Sequence, residues 1–451
     1  MVWNKIKRKF KYYLRDDTGV AAFIFALVLP VLVASGGLAV DLAKAQNVKN
    51  RLANALDKAA LAAANTTGDQ ATLETTMERF FQANFPEAKL GTPYDLALNV
   101  DGNTLSVSAS ARVETSFMQI WGKDYVEVSA SSEVVRQLSG IEVALVLDVT
   151  GSMAGTNISA LRTASTDFIN IMFDAIAQPE YIKVGIVPYS SSVNVGPYGV
   201  GENIDGSSYG TGFVVQPDAD DFLTPSTIEY NPGSSLQWHG CVLARDYPLD
   251  AQDTGPNEWQ MYRYPEQCRY YRYGRCRSYR RDPNYNCPAT PIVPLTSSQS
   301  ELLNTINALQ AQGYTYGNIG MAWGGRIVSP DYPFTEGAAW DDNEWEKAIL
   351  MMTDGRNTMH NFYSVYGRTA DHNITPSDLN ARFEEVCEEL KNNGVKIYTV
   401  TFQSSIDDTT RDYYRRCATT SSMYFHAPSS NELIEVFRNI ANQLSKLHIS
   451  K

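Results

Sequence analysis

Histidine is scarce in this chain, with five in 451 residues: His239, His360, His372, His426 and His448. None stands in an H-E-x-x-H pair. No G-x-S-x-G occurs, and the glycines at Gly151 and Gly155 are too close together, and lack the lysine, for a phosphate cradle. Covalent or metal-water catalysis needs a nucleophile with its base or an activated water, so no enzymatic activity is expected. The six cysteines, Cys241, Cys268, Cys276, Cys287, Cys387 and Cys417, include no C-x-x-C pair, which excludes a zinc ribbon. An even set instead fits disulfides in an exported body. Positive charge in excess is also lacking. A net charge of −12 and a pI near 5.0 argue against a nucleic-acid partner.

What the chain has, first, is a single uncharged apolar run. Residues 1–18 carry Lys5, Lys7, Arg8, Lys9, Lys11 and Arg15, and Gly19 to Val40 then provides 22 residues without a charge. That is enough to cross a hydrocarbon core about 30 Å thick. A cleaved signal peptide would have a shorter apolar region, whereas this one continues past Ala34-Ser35-Gly36 to Val40. The basic cluster before the span predicts a cytoplasmic N-terminus, with everything after the span outside. Beyond Asp41 the helical period persists through Val48, Leu52, Leu56 and Ala60, so span and stem are expected to form one helix of some 40 residues, with Pro30 as the place for a kink. A second helix carries Leu73, Met77, Phe80, Phe81 and Phe85 and stops at Pro86. Alternation follows, with Leu96, Leu98 and Val100, an Asp101-Gly102 turn, then Leu105, Val107 and Ala109. Val126, Val128 and Ala130 add a strand. Residues 41–138 therefore predict a helical stem with a small antiparallel sheet.

A second region, 139–451, opens on Ile141 to Leu147, apolar and β-branched except for Glu142, as a strand covered on both faces reads. Asp148, Thr150 and Ser152 follow at alternate positions, so one turn can aim a carboxylate and two hydroxyls at one point. All-oxygen donors suit a hard divalent cation, Mg²⁺ first and Ca²⁺ or Mn²⁺ next. Lys347 to Met352 reads as another buried strand, ending in Thr353-Asp354-Gly355, and Gly313 to Gly317 sets Thr315 in a glycine-flanked turn opening a helix. In open α/β sheets ligands gather at the carboxyl edge of the strands, where these three segments would converge. D-x-T-x-S followed by a turn threonine and a strand-terminal T-D-G resembles the metal-ion-dependent adhesion site of von Willebrand factor A domains. The resemblance implies that Asp148, Thr150, Ser152, Thr315 and Asp354 hold the ion, directly or through water.

The alternation of helix and strand on either side of that motif predicts a doubly wound α/β domain. It is interrupted from Gly196 to about Thr296 by a stretch rich in Gly, Pro, Tyr and Asp, expected as an insertion rather than a sheet element. Within it, Met261 to Cys287 interleaves seven arginines with seven tyrosines. Such a stretch can stack on bases or sugars; the plainer expectation is a disulfide-stapled loop whose arginines pair with the acidic body. The cysteines Cys241, Cys268, Cys276 and Cys287 allow three pairings, and the sequence leaves all three open. Cys387 and Cys417 lie on neighbouring helices flanking one strand, a geometry that a disulfide fits.

The order of parts carries a wider resemblance. A basic leader, Thr18-Gly19, a span containing LVLPVL, then LAVDLAKAQNVKNRLANALDKAALAAA and a terminal A domain is similar to TadG-type proteins of bacterial tight-adherence (Flp) pilus systems. The resemblance implies a single-pass protein of the bacterial inner membrane, its C-terminal domain periplasmic or extracellular. It would act in pilus assembly or surface attachment through a metal-dependent protein-binding A domain. The partners implied are pilus or pseudopilin subunits, or a surface protein supplying a carboxylate to the metal. A purely structural pseudopilin-like scaffold with an unused metal site is the alternative. Position five after Gly19 is Ile24, not the glutamate of a processed prepilin, which speaks against packing in a filament shaft.

Overall fold

The computed structural model describes residues 18–66, 70–86, 91–101, 104–135, 140–176, 179–216, 229–235, 237–252, 258–280 and 282–447. The basic segment before Thr18, Gly102 of the expected turn, Arg281 and His448 lie outside them. The chain divides into two compact units, Met1–Gln137 and Leu138–Lys451.

In the first unit, α1 (Thr18–Ala64) is a single helix of 47 residues that passes through Pro30. Its portion from Ile24 onward is long and apolar enough to cross a membrane. Helix α2 (Gln70–Asn84) turns Leu73, Met77 and Phe81 inward. Strands β1 (Thr92–Asp101), β2 (Thr104–Glu114) and β3 (Tyr125–Val135) form an antiparallel sheet with β2 in the middle. Because side chains alternate across a strand, Leu105, Val107, Ala109, Ala111 and Val113 of β2 all face one side. They pack there against Leu52, Leu56, Met77 and Phe81 from the helices and Phe85 just beyond α2.

The second unit runs through β4 (Gly140–Asp148), α3 (Thr156–Ala175), β5 (Ile182–Tyr189), β6 (Val214–Val215), β7 (Trp259–Gln260), β8 (Gln267–Arg272), β9 (Arg275–Arg280), β10 (Val293–Thr296), α4 (Gln299–Ala308), α5 (Gly317–Val328), β11 (Trp345–Thr353), β12 (Tyr363–Ser364), β13 (Gly367–Arg368), α6 (Pro376–Asn392), β14 (Lys396–Phe402), α7 (Asp408–Cys417), β15 (Tyr424–Ala427) and α8 (Ser430–Leu447). Six strands make one sheet in the order β10-β5-β4-β11-β14-β15, parallel except for β10. Strand β4 serves two cores at once. Ile141, Val143, Leu145 and Leu147 join Phe168 of α3 and Phe437 of α8, whose rings meet edge-on at 6.4 Å, while Ala144 and Val146 join α5, α6 and α7 on the other face. The sheet is thus doubly wound, as the alternating pattern predicts. Glu142, the charge that interrupts the apolar run Ile141 to Leu147, is fully buried. Lys183 Nζ donates to it at 3.0 Å, the Ala338 N–H at 2.9 Å, and Lys347 Nζ also donates.

Three expectations about the insertion need correction. Its boundary at residue 296 is too late: Val293–Thr296 is β10, the antiparallel edge strand against β5. A run of four residues containing Pro294 has no readable period, which is why the sequence concealed it. Nor is the insertion without sheet, since β6–β7 and β8–β9 form small ribbons inside it. Its Phe213, Trp238 and Trp259 are buried in the same core as Trp323 and Phe334. Finally, among the described residues the arginines of the β8–β9 hairpin do not pair with the acidic body. Among the described residues Arg269, Arg272, Arg275 and Arg277 on the β8–β9 hairpin form no ion pair; Arg272 lies beside the Tyr273 ring at 5.2 Å and Arg280 over Tyr285 at 3.6 Å. Tyr270, Tyr271 and Tyr273 are exposed. The pairings left open resolve as Cys241–Cys287 and Cys268–Cys276, and Cys387–Cys417 joins α6 to α7.

Candidate functional site

Strands β4 and β11 are adjacent and parallel, with Met352 opposite Leu147, so the residues that follow them emerge side by side at the carboxyl edge. Asp148 is completely buried there. Its Oδ1 accepts the Thr150 backbone N–H at 2.9 Å, and its Oδ2 accepts the Thr353 hydroxyl at 2.8 Å and the Tyr189 hydroxyl at 3.3 Å. The Thr150 and Ser152 hydroxyls lie 3.0 Å apart, and Ser152 donates to Asp354 Oδ1 at 2.7 Å. Asp354 Oδ2 accepts from Gln403 Nε2 at 3.3 Å. One hydrogen-bonded chain therefore connects Asp148, Thr150, Ser152 and Asp354, four of the five residues singled out in the sequence.

The fifth is close in backbone but apart in bonding. Gly151 N–H donates to Gly313 O at 3.0 Å and Gln312 N–H to Val149 O at 2.7 Å, so the 312–315 turn abuts the Asp148 turn. Gly313 is required: its φ is +85°, and a Cβ would fall 2.8 Å from Ser191 Oγ. Thr315 itself is 5 % exposed and is tied to Thr358 through both backbone groups, its N–H donating to Thr358 Oγ1 at 3.1 Å and its carbonyl accepting the Thr358 N–H at 2.9 Å. Among the described residues its hydroxyl has no hydrogen bond to the other four.

The electrostatics favour a cation. Burial pushes the Asp148 carboxyl above its ordinary value, and the hydrogen bonds from Thr150 and Thr353 offset this only in part. Burial, and then the charge of Asp148, push Asp354 up to about 7. Among the described residues neither carboxylate is ion-paired with Lys, Arg or His, and no three His, Cys, Asp or Glu side chains cluster as a metal site. The donor set is two carboxylates and hydroxyls, oxygen only, which fits a hard divalent ion and not a soft one.

Thr353 enters the sequence motif only as the first residue of T-D-G, without its bond to Asp148, and Tyr189 and Gln403 do not enter it at all, though all three share one signal. Each stands at the carboxyl end of a parallel strand, β11, β5 or β14, or one residue beyond it. Their parts depend on which strands are neighbours, and that is a property of the sheet.

Residues 19–66 match the Tad family, described as Flp pilus-assembly TadE/G-like. No curated protein matches the chain. Solved structures with a similar arrangement include the pilus adhesin SpaC from Lactobacillus rhamnosus GG (13 % identity, TM-score 0.38, 78 % of this chain and 34 % of that one). They also include the vWF domain of the type V pili tip protein Mfa5 from Porphyromonas gingivalis (11 %, 0.38, 70 % and 97 %). A third is proximal thread matrix protein 1 from the mussel byssus, with a zinc-occupied MIDAS motif (12 %, 0.32, 70 % and 47 %). The chain spans about a third of the length of SpaC. At these scores the likenesses carry no argument, and the fold rests on the strand order described above.

Proposed function

We propose that this chain, a TadE/G-like N-terminal segment followed by a von Willebrand A fold, is a membrane-anchored component of a tight-adherence pilus system whose A domain binds protein partners through a divalent cation. The observation that carries the metal reading is the convergence of Asp148, Thr150, Ser152 and Asp354 at one sheet edge, two buried carboxylates with no cationic side chain among the described residues to balance them. Asp148 and Asp354 would supply the charge, and the Thr150 and Ser152 hydroxyls neutral donors. Thr315 stands in the adjoining turn as a further donor, directly or through water. Thr353, Tyr189 and Gln403 hold the carboxylates in place. A bound Mg²⁺ would accept a carboxylate from the partner, the chemistry of attachment and not of catalysis. The binding partner on this reading is a pilus or pseudopilin subunit or a surface protein with an exposed Asp or Glu. The protein would sit in the bacterial inner membrane, N-terminus inside, with the A domain on the far side.

The test is calorimetric titration of Mg²⁺, Ca²⁺ and Mn²⁺ into the full chain in detergent, beside Asp148→Asn. Heat of binding in the wild type alone supports the reading. Equal traces from both proteins would leave the chain as a structural scaffold with an unused site.

A further inference from the structure

Helix α1 changes surroundings at one level. From Ile24 to Gly36 its side chains are exposed, Ala34 alone being half-buried; from there Gly37, Asp41, Ala45, Val48 and Leu52 form a buried stripe. The first cover is a loop of its own unit, residues 116–122 between β2 and β3. Phe117 lies against Gly37 so closely that a Cβ there would fall 2.5 Å from its ring. One turn on, the Asp41 carboxylate accepts three consecutive backbone N–H groups, Ser116 at 2.9 Å, Phe117 at 2.8 Å and Met118 at 2.7 Å. The neck is closed by Thr115 N–H to Asp124 O at 3.0 Å and braced by Lys44 Nζ to Glu114 O at 2.7 Å. The height of this loop on the helix is therefore fixed.

That height is the end of the apolar run. Gly19 to Val40 rises about 33 Å at the α-helical 1.5 Å per residue, close to the roughly 30 Å of a hydrocarbon core. Gly37 and Asp41 straddle the place where such a core ends. At the tip of the loop, a single 3₁₀ turn (Met118–Trp121) leaves Ile120 72 % exposed and Trp121 59 % exposed, with Lys123 exposed beside them. A loop facing water has no use for an isoleucine and a tryptophan at its tip, whereas indole, apolar with one N–H donor, prefers the membrane–water boundary. The loop that carries them is fastened to α1 at Gly37 and Asp41, where the exposed apolar stretch of the helix ends, so one occupant can cover both.

We propose that the 116–122 loop is a second membrane contact, seating Ile120 and Trp121 in the interfacial region of the bilayer that α1 crosses. The proposal rests on the anchor reading of α1. Two contacts clamped together at Asp41 fix the tilt and rotation of the stem at the membrane surface, where a lone helix would turn freely about its axis.

The experiment places a polarity-sensitive fluorophore on a single new cysteine in the full chain, reconstituted in nanodiscs. All six native cysteines are disulfide-bonded, so the added thiol alone is labelled. Three positions are compared: Ile120→Cys, Val31→Cys in the exposed apolar stretch, and Leu61→Cys, exposed about 30 Å further along α1 than Asp41. The expected result is that lipids carrying a shallow nitroxide quench the Ile120 label several-fold more than the Leu61 label, while aqueous iodide quenches it several-fold less. An Ile120 label as open to iodide as Leu61, with Val31 quenched by lipid, overturns the loop contact and leaves the anchor standing. If the Val31 label is not quenched by lipid, the anchor reading fails and the loop contact falls with it.

Discussion

Asp148 and Glu142 occupy the same strand, and each is fully buried, yet burial means different things for the two. Glu142 has its counter-ions in place, Lys183 and Lys347. Its replacement by alanine strands two lysines beside an apolar core, and removing one partner of a buried pair costs about 3–5 kcal/mol. We expect Glu142→Ala to lower the denaturant midpoint of the full chain accordingly; an unchanged midpoint would mean that the lysines find water. Asp148 has hydroxyls and an amide but no cation among the described residues, so Asp148→Asn, nearly isosteric, should leave stability close to wild type while divalent binding is lost. His360 offers a third residue-scale test. Burial, with the charge of Arg280 adding to it, holds its pKa below the ordinary 6.5. The neutral ring is the form the fold prefers, so the unfolded chain takes up the proton more readily, and stability present above pH 6.5 is lost as the pH falls below it. Urea midpoints at pH 7.5 and 5.5 should therefore differ less in His360→Gln than in the wild type.

At the scale of elements, the Cys387–Cys417 bridge ties α6 to α7 across a separation of 30 residues. The chain-entropy relation gives about 3–4 kcal/mol for a loop of that size, and we expect the double serine variant to lose roughly this in chemical denaturation. The elements themselves were legible wherever a period was long enough. Helix α1, the alternation in β2 and the buried runs of β4 and β11 are set by side-chain spacing alone, and so are four of the clustered site residues, which directly follow two of those runs. What could not be read depended on partners distant in sequence. The edge strand β10 exists only because β5 offers it a free edge. Trp238 and Trp259 join the main core, though nothing local distinguishes them from loop aromatics. Arg269, Arg272, Arg275 and Arg277 of β8–β9 stay outside because the hairpin pairs its two strands with each other and leaves those side chains exposed.

For the whole molecule, each of the two units has a hydrophobic core of its own. Calorimetric unfolding should resolve two transitions, since multidomain chains depart from two-state behaviour. Saturating divalent cation should raise only the one belonging to Leu138–Lys451, by about 2.7 kcal/mol at a hundredfold excess over Kd. A shift in both would contradict the placement of the metal site. The 47-residue α1 carries a different consequence. It is a rod about 70 Å long at helical rise, riveted to the β2–β3 loop where Asp41 grips three successive amides. Such a part is a crankshaft: a twist applied by a bending bilayer to its exposed stretch, Ile24 to Gly36, would be carried by continuous helix to the β2–β3 loop.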